Sequence, residues 1–195
     1  MIGRGVAIAG AVACLVCPEG RTQAVVRVVA GARLSTPLVR DSIVTPFTVR
    51  ASVAPVIGLG LKTALKPGWR FDALLEGSSS HVARHDQSGA TGDLGRVTTV
   101  SVTLGVERRI THPVSAGISV GALKYFASDQ IGIFRQGTGT LAALGALTLE
   151  YRVWRHGTAS LRYDVHQFTT PALDAEGFSS GRAVYRVALA LGIEP

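Results

Sequence analysis

The feature that most constrains this chain is an alternation of apolar and polar residues that recurs in eight separate segments. In "VSVTLGVE", residues 100–107, the side chains of Val100 and Val102 fall on one side of an extended strand, and those of Ser101 and Thr103 fall on the other. The eight segments are residues 25–34, 53–65, 69–79, 97–108, 114–126, 140–154, 158–168 and 182–193. None keeps a helical period as well as it keeps alternation, so the sequence predicts an all-β protein.

The connections between these segments alternate in length. Three are short and contain the turn-forming residues Pro or Gly: "KPG" at 66–68, "ITHP" at 110–113 and "RHG" at 155–157. The other four are longer and are polar or Gly-rich: 35–52, 80–96, 127–139 and 169–181. An antiparallel meander places all short turns at one end and all long loops at the other. The pattern therefore predicts an eight-stranded antiparallel up-and-down transmembrane β-barrel, in which the first strand begins and the last strand ends at the short-turn side.

The two faces of the segments differ in charge. One face carries Val, Leu, Ile, Ala and aromatic side chains without a charge. The other face carries small residues and the following charged ones: Arg27, Arg33, Lys62, Arg70, Asp72, Glu76, Glu107, Glu150, Arg152, Arg162, Asp164, His166 and Arg186. Only 17% of all residues are charged, against about 25% in typical soluble domains. We therefore predict that the uncharged face meets lipid and that the charged side chains form an ion-pair network in a mostly packed lumen.

Aromatic residues lie near both kinds of connection. Trp69 and Trp154 flank short turns, whereas Tyr125, Phe126 and Phe168 lie near long loops. Transmembrane barrels carry aromatic belts at both membrane interfaces. These five residues are therefore the predicted aromatic girdle.

The N-terminal segment has the pattern of a secretory signal peptide. Arg4 precedes an apolar run over 5–16, and the segment closes on the small residue Ala24. The run is too short to cross a hydrocarbon core of about 30 Å, and no later segment has 18 uninterrupted apolar residues. We predict a signal peptide over 1–24 and a barrel domain over 25–195; a buried N-terminal core helix is the alternative.

The positions of the cysteines and of the basic residues argue against a disulfide in the mature chain and against a nucleic-acid partner. Cys14 and Cys17 both lie within the predicted signal peptide, so the mature chain would hold no disulfide. A lipoprotein cleavage site with Cys14 as the lipidated terminus is a second alternative for this segment. The mature chain would carry 18 Lys and Arg against 12 Asp and Glu, but the basic residues are scattered, which argues against a nucleic-acid partner.

The signal peptide, the eight alternating strands and the long and short connections together resemble the small outer-membrane β-barrels, the group that includes the OmpA membrane domain, OmpX and OmpW. The resemblance covers residues 25–195. It implies a monomer in the outer membrane, in contact with the lipid bilayer and lipopolysaccharide, that is inserted by the outer-membrane assembly machinery. Such barrels usually end in an aromatic residue used in assembly, whereas this chain ends in Glu194 and Pro195.

The expected role is structural, adhesive or another surface interaction, with no catalytic, cofactor or metal site. The richest group of polar residues is "SLRYDVHQF", in which Ser160, Asp164 and His166 share one face of a strand. Neighbours on one face stand about 7 Å apart, too far for the hydrogen bonds of a catalytic triad. The sequence also lacks zinc-ligand spacing and a phosphate-binding loop.

Three alternatives stay open. The first is a narrow channel for small hydrophobic solutes, of the OmpW kind. The second is a lipid A-modifying enzyme; the lipid A deacylases of this group carry a His-x-Ser pattern, and here Phe168 stands where that serine would be. The third is a secreted lipocalin-like barrel that binds an apolar ligand, in which the two faces would be reversed.

Overall fold

The structure, a computed structural model, describes residues 24–41, 46–139, 141–175 and 182–194. A short 3-10 turn over Gly132–Phe134 and one short helix, α1 (Pro171–Ala175), accompany the strands in these ranges. The strands are β1 (Val25–Ser35), β2 (Val39–Asp41), β3 (Phe47–Ala51), β4 (Ala54–Lys66), β5 (Trp69–Asp86), β6 (Thr91–Arg109), β7 (Val114–Ala127), β8 (Ala142–Trp154), β9 (Gly157–Phe168) and β10 (Arg182–Ile193). No helix in these ranges has the length and apolar character needed to cross a membrane. The predicted signal peptide lies outside the described residues, apart from Ala24.

Eight of the strands close into an antiparallel barrel. β4 to β10 pair in chain order, and β1 completes the circle by pairing with both β4 and β10. Ala30 in β1, for example, lies opposite Ile57 in β4 and Leu191 in β10. Closure leaves no unpaired sheet edge around the barrel wall. A β-sheet in lipid needs this because its backbone N–H and C=O groups find no hydrogen-bond partners in hydrocarbon. The predicted eight-stranded up-and-down barrel is confirmed.

The short turns all lie at one end of the barrel. They are residues 67–68, 110–113 and 155–156, and Gly68 has a φ of +79°, which a side chain at that position would resist. β10 ends beside one of these turns, where the Glu194 amide donates to the His156 carbonyl over 2.8 Å. β1 begins at the same end, where Val25 lies opposite Lys62, so the prediction that the first strand begins and the last strand ends at the short-turn side is confirmed.

Two of the predicted long loops contain more strand than expected. β5 and β6 continue pairing far beyond the other strands, with Arg84 opposite Gly92, and they form a hairpin around a turn at residues 87–90. β2 and β3 pair beside this hairpin, with β3 joined to β5. The barrel therefore carries a projecting sheet, made of β2, β3 and the β5–β6 tip, on its long-loop side. Alternation does not reveal these strands because both faces of "HVARHD" carry polar residues.

Solvent exposure alternates along the barrel strands. Val102 is 49% exposed, whereas its neighbours Ser101 and Thr103 are 3% and 2% exposed. The exposed side chains form an uncharged belt around the barrel, and the charged side chains point inward. This confirms the predicted facing of the two sides, and it is the reverse of the facing that a lipocalin-like barrel requires.

Candidate functional site

The interior near the short-turn end holds a group of five linked charges, which we call the lower network: Arg27, Lys62, Asp72, Glu107 and Glu150. Lys62 Nζ lies 2.5 Å from Glu150 Oε1 and 2.7 Å from Glu107 Oε2. Arg27 binds Glu150 Oε2 at 2.6 Å and Asp72 Oδ1 at 2.9 Å. Two cations thus connect three carboxylates that come from three different strands.

A second group, which we call the upper network, lies towards the long-loop end and consists of Arg33, Glu76, Arg162, Asp164 and Arg186. Arg33 binds Glu76 over 2.9 Å, and Arg186 Nε binds Asp164 Oδ1 over 2.6 Å. Arg162 Nε lies 3.6 Å from Asp164 and 3.7 Å from Glu76. All five side chains are buried, so three guanidiniums share two carboxylates away from bulk solvent.

The two remaining charges of the predicted lumen set, Arg70 and Arg152, lie at the short-turn mouth. Both are half-buried and border the same cavity of about 260 Å³. Glu194, which follows β10, reaches into the barrel, and its carboxylate lies 3.8 Å from Lys62 Nζ. The last described residue thus contributes to the interior charge.

His166 lies above the upper network and contacts a tyrosine instead of a charge. Its Nε2 is 2.6 Å from the Tyr125 hydroxyl, and Tyr125 in turn meets the edge of Phe168, with ring centroids 5.1 Å apart. Above this pair the interior becomes apolar.

An apolar cluster fills the barrel at its long-loop end, and we call it the mouth cluster. Phe134 from the 3-10 turn and Leu173 from α1 point down into it, and Thr170 Oγ1 ties the two loops together by donating to the Ile133 carbonyl over 2.8 Å. Its buried members are Leu38, Val39, Val49, Val82, Leu94, Val97, Leu123, Tyr125, Phe134, Leu144, Phe168, Leu173 and Val184. Sequence reasoning missed this cluster, although Leu123, Leu144 and Val184 lie on the inward side of their strands.

Known structures share this architecture. The crystal structure of Ail, the attachment invasion locus protein of Yersinia pestis, in complex with the heparin analogue sucrose octasulfate, matches at 13% identity with a TM-score of 0.54, covering 89% of this chain and 99% of that one. The solid-state NMR structure of the outer membrane protein AlkL matches at 10% identity and a TM-score of 0.52, covering 92% and 93%. Neisserial surface protein A matches at 10% identity and a TM-score of 0.50, covering 91% and 100%.

The fold is that of the small outer-membrane β-barrels. No protein-family model and no curated protein sequence matches the chain. At such low identities the likeness to the outer-membrane barrels concerns the fold, so the role of this chain has to be argued from its own residues.

The predicted aromatic girdle of this outer-membrane barrel fold needs a correction. Tyr125 and Phe168 were expected at the membrane interface, but they are 8% and 3% exposed and belong to the mouth cluster. Their positions near long loops suggested a belt, yet both have the inward parity of their strands. Phe126, one residue along, has the outward parity and is 49% exposed.

The other aromatic residues of the outer surface fall into two places. Trp154 is exposed beside a short turn, and Trp69 lies under two cations, with Lys66 Nζ 5.3 Å and Arg108 5.5 Å from its ring. Tyr163 and Tyr185 stack with centroids 6.0 Å apart on the outer face of β9 and β10. Aromatic rings on the outer face near the ends of the strands, some with cations beside them, are typical of a membrane interface.

Residue types found in catalytic triads lie on β9 but do not contact one another. The Ser160 hydroxyl donates to the Ala190 carbonyl, Asp164 accepts from Arg186, and His166 contacts Tyr125. Within the described ranges, no three His, Cys, Asp or Glu side chains are grouped so that they could hold a metal ion. The arrangement connects charges structurally and gives no activated nucleophile.

Proposed function

We propose that this chain is an outer-membrane barrel with a closed lumen and a structural or surface-interaction role. The observation that carries the proposal is the double closure of the interior. The lower and upper networks fill the middle of the barrel with ion pairs, and the mouth cluster fills the long-loop end with apolar side chains. Two cavities described between these charges, one beside Arg27 and Asp72 and one beside Arg27 and Arg162, measure about 10 Å³ each, about the volume that one water molecule needs.

The same closure argues against a channel for small hydrophobic solutes. Such a channel needs an apolar passage that begins at the long-loop end. Here Phe134 is 0% exposed and Leu173 is 6% exposed within the mouth cluster, so the apolar side chains pack against one another and leave the entrance filled.

Single-channel recording in a planar bilayer tests the closed lumen. We expect the purified protein to give no discrete conductance steps, because ions cannot pass buried, mutually paired charges without breaking them. A variant with Phe134→Ala and Leu173→Ala is the matched control for the mouth cluster alone, and we expect it to stay silent because the networks remain. Stable openings of the unmodified protein would contradict the proposal.

The projecting sheet favours the surface-interaction part of this role. It places Arg40 and Arg50 on exposed positions beyond the barrel wall, and Arg84 stacks 4.3 Å above the Phe47 ring. Strands stiffened by pairing hold such side chains in place more firmly than a free loop does. The neighbour Ail was crystallised with a heparin analogue, so a sulfated glycan is a suitable first probe of this surface.

Further parts of the proposal concern processing and partners. We propose that residues 1–24 are removed as a signal peptide, that the assembly machinery inserts the barrel as a monomer, and that lipopolysaccharide surrounds its long-loop half. We also propose a non-catalytic role, which the separated Ser160, Asp164 and His166 side chains support. Mass spectrometry of lipid A from cells that express the protein tests it, and altered acylation would contradict it.

A further inference from the structure

A cavity at the short-turn mouth borders the lower network, and neither the closed lumen nor the surface role makes use of it. Its volume is about 260 Å³. Its floor is formed by Glu107 and Glu150 of the lower network, and its rim includes Arg70, Arg109 and Arg152. The rim residues come from β5, β6 and β8, so three strands bring guanidiniums to one opening.

The rim cations differ from the other arginines of the interior. Arg70, Arg109 and Arg152 make no side-chain hydrogen bond and no ion pair shorter than 4 Å with any residue in the described part of the chain. The floor carboxylates, by contrast, already have a partner, since Glu107 and Glu150 both bind Lys62 within 2.7 Å. Arg70 lies directly opposite Glu107 on the neighbouring strand, whereas Arg109 and Arg152 border the cavity without an ion-pair partner among the described residues.

The charge balance of the lining sets the charge of a matching ligand. Four basic side chains border the cavity: Lys66, Arg70, Arg109 and Arg152. The two carboxylates of its floor offset part of this charge, so the lining taken by itself carries a net charge of +2 with His112 neutral. A ligand with two negative charges neutralises this lining, and guanidinium groups bind phosphate and carboxylate oxygens in pairs of parallel hydrogen bonds.

The position of the cavity decides between a soluble anion and a lipid headgroup. Arg70, Glu107 and Arg152 lie on the inward side of their strands, so these charged groups face the barrel axis at the short-turn mouth. Lipid phosphates at this end would instead meet Arg108, which does not line the cavity and lies over the outer ring of Trp69. An anion that reaches the cavity therefore comes from the aqueous phase.

We propose that the short-turn mouth is a binding site for a small water-soluble dianion, a phosphate monoester or a dicarboxylate, held by Arg70, Arg109 and Arg152. Ala64, Pro67 and Pro113 line the same cavity and offer apolar contact to the carbon skeleton of such a ligand. The site lies on the side of the barrel opposite the projecting sheet, so it is independent of the surface role and of whether the lumen conducts.

Calorimetric titration of the refolded full chain with inorganic phosphate and with succinate tests the site. The titration is done in zwitterionic micelles at about 150 mM salt, where diffuse surface attraction is largely screened. We expect one saturable site. An Arg109→Gln/Arg152→Gln variant should weaken binding roughly tenfold or more, because it removes charge-assisted hydrogen bonds.

The matched control is Arg108→Gln/Arg155→Gln, which removes two positive charges from the same end but from residues that do not line the cavity. We expect its affinity to stay within about twofold of the unmodified protein, because screened surface charges contribute little. A difference in gel mobility between unheated and heated samples verifies that both variants fold. Absence of saturable binding by the unmodified protein, or equal losses in the two variants, would overturn the proposal. Competition by phosphatidylglycerol in bilayer discs would overturn the assignment to a soluble anion.

Discussion

Replacing Asp164 by Asn is expected to lower the free energy of unfolding by about 3–5 kcal/mol, the cost of removing one partner from a buried ion-pair network. Asp164 is 1% exposed and accepts from Arg186 over 2.6 Å, while the guanidiniums of Arg162 and Arg33 lie 3.6 and 3.9 Å away. The variant leaves three buried guanidiniums with Glu76 as the one carboxylate of the upper network. Urea titration in phospholipid vesicles, followed by the fluorescence of the two tryptophans, measures the loss.

The control for this prediction is the same chemical change at an exposed pair. Asp93 lies 3.1 Å from His81, but the two side chains are 68% and 53% exposed. Asp93→Asn should therefore cost less than about 1 kcal/mol. Similar losses in the two variants would show that the buried network does not stabilise the barrel.

A charge on the outer belt should have the second largest effect. Val102 is 49% exposed near the middle of the barrel-forming part of β6, with Leu75 and Ala122 on the neighbouring strands. Val102→Arg is expected to lower the free energy of unfolding in vesicles by about 2–4 kcal/mol, the cost of an arginine facing the bilayer midplane.

Ile110→Arg provides the matched control for the outer belt. Ile110 is 58% exposed, but it lies in a short turn, where the arginine can reach water and lipid phosphate. Its expected cost is about 0–1 kcal/mol. Equal costs at Val102 and Ile110, in the same urea titration, would contradict the assignment of the belt to hydrocarbon.

The barrel wall was predictable because every strand that contacts lipid must keep its lipid-facing side free of charge. A charge such as Glu107 or Arg162 fixes which side of its strand faces inward, and the parity of the whole strand follows. Tyr125 and Phe168 obey that rule, and the girdle prediction for them was wrong because it gave nearness to a loop more weight than parity.

The rest of the structure lies where this rule no longer applies. Beyond the belt, the β5–β6 tip can carry polar residues on both faces. Its sequence therefore lacks the apolar–polar alternation that would have predicted the pairing. The mouth cluster depends on Phe134 and Leu173, two apolar residues in short segments between the barrel strands. No sequence periodicity predicts where these two side chains point. The individual ion pairs were also beyond sequence reasoning, since Arg27 and Glu150 are 123 residues apart and meet only after the barrel closes.

The interior arginines of β1 have a consequence for how the barrel can close. Arg27 reaches carboxylates on β5 and β8, and Arg33 reaches carboxylates on β5 and β9, although β1 itself pairs only with β4 and β10. The two arginines stand about 20 Å apart along the strand. Sliding β1 by two residues would keep its faces correct but would draw both guanidiniums away from their acceptors at once. The ion pairs of Arg27 and Arg33 thus select the register of β1 against an even-numbered shift, which the alternation of apolar and polar residues does not disfavour.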